Sequence, residues 1–488
     1  MALKQDTTLR RSSGAASVLR TQASPPADRP QSPLLDDVTA TLRGDVARFV
    51  AVAPGRLDVM GGLAEYTGAL VLNVPLGQHA CVAVQRRADE VLSITCSSAP
   101  GENGDMPTEI ALSKLFPETG KVIDPENGLA LPAGDSSRSG RCVLGALLEA
   151  VRAGLLPSFS GGLSIAYALT ADLTPVAGGA AALSAATLVA AAGALDVPLD
   201  AREAAQVCQQ MENAWLGLPV GVADAVCSLV GTPQSLNQVR CDPCNPAGSL
   251  ALPDNLLLIG VDCGAVRKDS AAKYADVRVA TFMGRLLIDR IIRHDELNHI
   301  QWDGYLSRLS ITDYVERFRD RIPTKFKGQE FLDRFGETSD PLTRVDPNMV
   351  YKIRSRTEHH IYEHSRSCQF VECISRAIRS GDDRAIAEAG ELMYASHWSY
   401  GQRCGLGSVE TDLMLNLIRK QGVAADIYGA KVTGRGGGGI VAVLMKGGDR
   451  AETAVRETIK KYNAQSGHAA TLLNGSSPGC LFTGALSL

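Results

Sequence analysis

The sequence has no excess of positive charge: 49 Lys and Arg stand against 53 Asp and Glu, a net charge of −4. Without a global basic field the chain is not built as a dedicated nucleic-acid or membrane-surface binder, and neither is expected as a partner. It has one Cys-x-x-Cys pair, Cys241 and Cys244, and no second pair near it. A four-ligand zinc site therefore has no spacing to rest on. The twelve cysteines read as free thiols in a reducing compartment, and the expected location is cytoplasmic. An apolar signal-peptide core and an internal repeat are both missing. No histidine spacing makes a metal site, so His359, His360 and His397 read as structural or cleft-lining. Charge is also missing between Asp172 and Asp196, where the chain runs TPVAGGAAALSAATLVAAAGAL. Length alone would allow a membrane span. The stretch is mostly Ala and Gly, however, and Pro175, Gly178 and Gly179 break its first third, leaving roughly 15 helical residues that suit a buried helix.

What is present is enough for two domains, because 488 residues exceed one ordinary core. Residues 1–44 are rich in Ser, Ala, Arg and Pro and read as a disordered tail. Their early part carries Lys4, Arg10, Arg11 and Arg20 against Asp6 alone, so an organellar transit peptide stays open beside a plain solvated tail. From 48 to 96, β-rich runs alternate with turns: RFVAVAPGRLDVMGG ending in a Pro-Gly turn, then ALVLNVPL, HACVAVQRR and EVLSITCSS. GRCVLGALLEAVRAGL has helical spacing, LSIAYAL is a strand, and Asp200 with Glu203 opens another helix. The boundary falls around 240–254, just before the strand NLLLIGVDCG, which divides the chain into 45–250 and 251–488. Helices are expected near 276–293, 368–379, 384–398 and 408–421, then strand GGIVAVLM, a helix, and a last strand near 468–473. The class is α+β.

Three segments carry chemistry. In APGRLDVMGGLAEYTGALVL, Arg56 follows a Pro-Gly turn and Glu65 lies nine residues on. A guanidinium fork suits a phosphate or oxyanion, or a plain surface salt bridge. In KVTGRGGGGIVAV, Gly436 to Gly439 bring backbone N–H groups close to a ligand, or make a flexible hairpin. In PVGVADAVCSLVG, Asp224 sits in apolar surroundings after a helix bearing Glu212 and Asn213. It is a structural partner or a functional base.

In this order, APGR…EYTG, a Pro- and Gly-rich loop before a small-residue helix, EN…GVAD and YGAKVTGRGGGG resemble the GHMP small-molecule kinase superfamily, and within it galactokinases and plant-type L-arabinokinases. KYADVRVATFMGR, ELMYASHWSYGQRCGLGS and NGSSPG carry the same resemblance toward the C-terminus. It implies a two-domain α+β fold with the active site in the inter-domain cleft. It also implies transfer of the ATP γ-phosphate, with Mg²⁺, to the anomeric hydroxyl of L-arabinose or galactose. Asp224 would take or orient the sugar proton and Arg56 would stand by the transferred phosphate. Glu65 and Tyr274 would contact sugar. Ala177, Gly178, Gly179, Ala180, Ala181, Ala182 and Ser184, with Gly436 and Gly437, would hold the phosphates. Glu212 and Ser184 would serve the metal.

The departures from the pattern bear on substrate and activity. Gly62 stands where galactokinases hold the C6 hydroxyl with a glutamate. A pentose loses nothing there, whereas a hexose loses a charged hydrogen bond worth roughly 1.5–3 kcal/mol. Glu65 replaces an aspartate. Ala181, Ala182 and Leu183 replace three serines, and Ala177 and Arg435 replace glycines. A second reading follows: a weak or inactive kinase homologue acting as a sugar- or nucleotide-binding sensor or scaffold.

Overall fold

The first strand, β1 (Arg48–Met60), runs straight through Pro54-Gly55. The turn expected there is a bulge, with the register against β2 (Leu70–Arg86) shifting between Pro54 and Arg56. Proline has no N–H to give a ladder, so it is tolerated at such a bulge, and bulges re-aim the side chains that follow. ALVLNVPL and HACVAVQRR likewise form one strand, β2, whose Pro75 lies opposite Arg56 at the same irregularity. The computed structural model describes residues 32–42, 44–97, 107–117, 121–125, 135–159, 161–242, 244–266, 268–297, 300 and 302–488.

β3 (Val91–Cys96), β4 (Thr108–Ala111), β5 (Leu163–Leu169), β6 (Ser235–Arg240) and β7 (Asn245–Ala251) extend this sheet. β5 joins β2 antiparallel and β3 parallel, while β6 pairs the first residues of β2 and carries β7. A second sheet is formed by β8 (Leu256–Val266), β11 (Ile427–Val432), β12 (Gly438–Lys446) and β13 (Thr471–Leu473), in the order β11-β12-β8-β13. Between them in sequence lies a short ribbon of β9 (Phe326–Lys327) and β10 (Val350–Tyr351). The chain ends by returning to the first sheet, where β14 (Leu486–Ser487) pairs β1.

Alternation along β1 divides the first sheet's two faces. Ala51, Ala53, Leu57 and Val59 enter the main core with the helices Asp135–Arg152, Gly179–Leu195, Ala201–Trp215 and Ala223–Val230. Val50 and Val52 face the other way, with Cys81, Ala83, Ala166 and Ala168. That second face corrects the reading of residues 1–44 as a disordered tail. Leu34–Thr41 is a helix, and Val38 and Leu42 are buried against those residues. Burying two aliphatic side chains is worth about 1.5–3 kcal/mol each, enough to order a short segment that composition marks as unstructured. Residues 1–31, which hold the basic early part of that segment, lie outside the described residues.

The uncharged stretch forms the helix Gly179–Leu195, buried on nearly every side between β1, β2 and the neighbouring helices. Its small side chains let these elements approach closely. Among the described residues no helix is long and apolar enough to cross a membrane. All twelve cysteines are unpaired thiols.

Candidate active site

Arg56 leaves the β1 bulge and meets Asp224, near the start of the helix Ala223–Val230. Nε and Nη2 donate to the two carboxylate oxygens, each at 2.5 Å. Nη1 donates to Val176 O at 2.8 Å, which ties the pair to the segment just before the helix Gly179–Leu195. Arg56 is almost wholly buried, whereas the Asp224 side chain keeps 26% of its surface open. Burial opposes the Arg56 charge, but Asp224, with Asp58 and Glu65, holds the guanidinium above its usual range. Gly178 caps the helix Gly179–Leu195 with φ +82°, and a Cβ there would stand 3.1 Å from Arg56 Cγ. Glycine meets both the backbone conformation and the close approach.

Glu65 lies in the 3₁₀ turn Gly62–Thr67. Its Oε1 accepts from Gly221 N at 2.7 Å and its Oε2 from Ala223 N at 3.3 Å. Both oxygens are thus engaged by the segment that carries Asp224, and a Cβ on Gly221 would overlap the Glu65 carboxyl. The longer side chain works as a brace under Asp224. Burial, then the Asp224 carboxylate, push Glu65 up to about 8 against these donors and Arg56. Tyr274 is buried, and its hydroxyl has no partner among the described residues. Burial and Glu65 hold it protonated well above its usual range. Tyr66 packs edge-on to Tyr274 at 6.2 Å, and its hydroxyl bonds His360 Nε2 at 2.7 Å. The Arg278 guanidinium lies 4.6 Å over the Tyr66 ring and pairs with buried Asp340.

Gly62 is not a vacancy waiting for a longer side chain. Its N–H donates to Asp58 Oδ1 at 3.0 Å, and a Cβ would stand 2.6 Å from Asp58 Cγ. Asp58 in turn accepts from Lys431 Nζ at 3.2 Å and Gly434 N at 2.9 Å, both at Oδ2. Tyr400 OH donates to Gly434 O at 2.9 Å and accepts from Leu63 N at 3.1 Å. This buried network joins the two sheets beneath the cleft. Sequence reasoning quoted Asp58, Lys431 and Tyr400 inside motifs without singling them out. The signal was two opposite charges in otherwise apolar strands, because such charges are buried only when paired.

The turn between β11 and β12 corrects a further expectation. Gly436 and Gly437 were to offer N–H groups to a phosphate, yet Gly436 N donates to Thr433 O at 3.2 Å and Gly437 N to Leu406 O at 2.5 Å. Tertiary packing has already used those donors. Gly434, at φ +56°, lies against Arg56, with Nη2 3.3 Å from where a Cβ would be.

Of the residues expected to hold phosphate, Ala177, Gly178, Gly179, Ala181 and Ala182 are buried and Ala180 is half-exposed at the helix start. Ser184 is fully buried and donates to Ala180 O at 2.8 Å. Its proton is thus spent on its own helix and is not offered to a phosphate, while the oxygen lone pairs stay free of that bond. Glu212 is also buried; burial and Asp224 push it up to about 7, against Arg435, Arg56 and Arg138. It makes no side-chain hydrogen bond among the described residues, which leaves its oxygens for a cation. Among those residues no group of three or more His, Cys, Asp or Glu is placed to cage a metal. A cavity of about 290 Å³ between β6, β8 and β13, lined by Leu252, Leu256, Met445 and Leu472, shares no residue with this constellation.

Comparison with known proteins agrees with this architecture. Residues 175–232 match the family described as GHMP kinases N terminal domain. The chain is 28% identical to an L-arabinokinase of Arabidopsis thaliana, over 88% of this chain and 46% of that protein. It is 25% identical to a galactokinase of Streptomyces coelicolor, over 85% of this chain and 90% of that one. The chain thus spans about half the length of the plant relative. Among solved structures, Lactococcus lactis galactokinase complexed with galactose superposes with a TM-score of 0.65 at 16% identity, covering 90% of this chain and 95% of that one. Methanococcus jannaschii mevalonate kinase superposes at 0.52 and 13% identity, covering 89% of this chain and 100% of that one.

Proposed function

We propose that this chain, a galactokinase- and arabinokinase-like member of the GHMP superfamily, is an ATP-dependent sugar-1-kinase acting on L-arabinose, with galactose the weaker substrate. The observation that carries this is the Arg56–Asp224 pair, set between Gly178 of the phosphate loop and Gly434 of the glycine turn. Phosphoryl transfer asks a protein mainly for positioning, a place for one proton and cations against developing charge. Asp224, held by Arg56 and half-open to the cleft, orients the anomeric hydroxyl and receives its proton as the γ-phosphoryl group arrives. Glu65 holds the Gly221–Ala223 segment so that Asp224 keeps that position. The unpartnered Tyr274 hydroxyl bonds the sugar, since a buried polar group without a partner is costly. Mg²⁺ commonly takes one or two carboxylates and substrate phosphates, and Glu212 fits that role. When bound, such an ion neutralises charge on the phosphates.

The sugar preference rests on Gly62. With no side chain at that position and Asp58 filling the space behind it, a carboxylate for C6 is absent there. L-Arabinose, which is galactose without its C6 group, gives up nothing. The second reading, a sensor or scaffold of weak activity, is favoured by one observation: the phosphate loop offers Ala181, Ala182 and an inward Ser184 where hydroxyls are expected. ADP release measured with ATP-Mg²⁺ and a panel of aldoses separates the two. Arabinose-dependent turnover supports the kinase. Sugar or nucleotide binding without turnover on any aldose supports the sensor.

A further inference from the structure

The turn between β11 and β12 carries a guanidinium, that of Arg435. Arg435 is half-buried and makes no hydrogen bond or ion pair among the described residues. Its place is fixed by its neighbours: Gly434 is bonded to Asp58 and lies against Arg56, while the Gly436 and Gly437 N–H groups are spent within the fold. What this turn presents to the cleft is therefore a guanidinium and not a nest of backbone amides. Its charge acts on Glu212 and Tyr274, which places it among the site residues. Across the cleft, the helix Gly179–Leu195 begins with no side-chain cap. Two further donors flank these segments. Thr174 Oγ1, just before the phosphate loop, and Thr433 Oγ1, just before the glycine turn, are buried without partners among the described residues. A free guanidinium, two unpaired hydroxyls and an uncapped helix N-terminus together form a set of donors matched to an anion with several acceptor oxygens.

We infer that Arg435 binds the terminal phosphate of the nucleotide, supplying as a fixed cation the contact that the hydroxyl-poor phosphate loop lacks. This rests on the kinase reading and deepens it. Part of the nucleotide affinity is then independent of Mg²⁺, because a protein cation already meets the phosphate charge. The guanidinium fork gives two directed hydrogen bonds where an ammonium gives a point charge.

The test is calorimetric titration of ADP into the full chain, in EDTA and in Mg²⁺, for the wild type, Arg435→Ala and Arg435→Lys. The wild type is expected to bind ADP in EDTA. Arg435→Ala should weaken that binding at least tenfold and weaken binding in Mg²⁺ less, with Arg435→Lys between. Arg435 makes no hydrogen bond or ion pair among the described residues, so all three proteins should remain folded, as thermal unfolding checks. Equal ADP affinity of wild type and Arg435→Ala in EDTA overturns the inference while leaving the nucleotide site standing. So does wild-type binding that needs Mg²⁺ entirely. No ADP binding by the wild type in either buffer overturns the kinase reading itself, and this inference with it.

Discussion

Arg56 and Asp224 share two hydrogen bonds, and the pairing sets what each group does. An aspartate held by a buried guanidinium is fixed in position, and position is what this chemistry rewards. Asp224→Asn keeps one bond to Arg56 and loses the proton acceptor. It is expected to abolish turnover while leaving nucleotide affinity within a few-fold, as measured by paired kinetic and binding titrations. Residual turnover equal to wild type would remove Asp224 from the mechanism. Glu65 and Glu212 make a pH statement. Their folded carboxyls sit at about 8 and about 7, above an unfolded value near 4.5. The folded state therefore binds more protons than the unfolded chain between those limits, and stability falls as pH rises from about 5 to about 8. The unfolding temperature of the unliganded protein should follow that slope, and Glu65→Gln should flatten it. An unchanged slope in that variant would show that Glu65 is ionised at neutral pH. Gly62 carries a third expectation. Even Gly62→Ala must displace the pinned Asp58 carboxylate, so overpacking of about 1–3 kcal/mol is predicted and is readable by chemical denaturation. A glutamate there is expected to destabilise the protein before it improves the use of galactose.

At the scale of elements, the sheets share part of the main core, and a buried ion pair with its hydrogen bonds links them as well. Lys431 and Asp58 are both almost fully buried. Lys431→Met leaves the Asp58 carboxylate with two backbone donors and without its ion-pair partner, a change that costs about 3–5 kcal/mol in buried pairs. Urea denaturation should show that loss; a change below about 1 kcal/mol would mean that the two N–H donors suffice. This pair also marks the limit of sequence reading. Arg56 and Asp224 were legible because each stands in a recognisable local phrase. Asp58 and Lys431 lie 373 residues apart, and nothing local pairs them. The long strands β1 and β2 were read short for a related reason. Pro54-Gly55, Pro75 and Gly77 are local punctuation, and tertiary pairing overrides it by absorbing the prolines in a shared bulge. Ser184 and the 436–437 amides were assigned from alignment of a motif, which says where a group lies along the chain and not which acceptor it has already found.

At the scale of the whole molecule, the first sheet with its alanine-rich helix and the second sheet with its glycine turn meet around the Arg56 bulge and again along the main core. At the bulge Gly178, Arg56, Asp224 and the Arg435 turn come together, and the α+β class expected from the motif order matches this architecture. Alternation and helical spacing made most of the helices and strands visible. Which donors were free inside the cleft was not visible, because hydrogen-bond occupancy is a property of the packed chain. The most direct test is formation of sugar 1-phosphate from ATP-Mg²⁺ with L-arabinose, galactose and other aldoses, with wild type beside Asp224→Asn. The account predicts arabinose 1-phosphate as the main product, less from galactose, and none from the variant. Absence of any sugar phosphate from the wild type, with nucleotide binding intact, would contradict it.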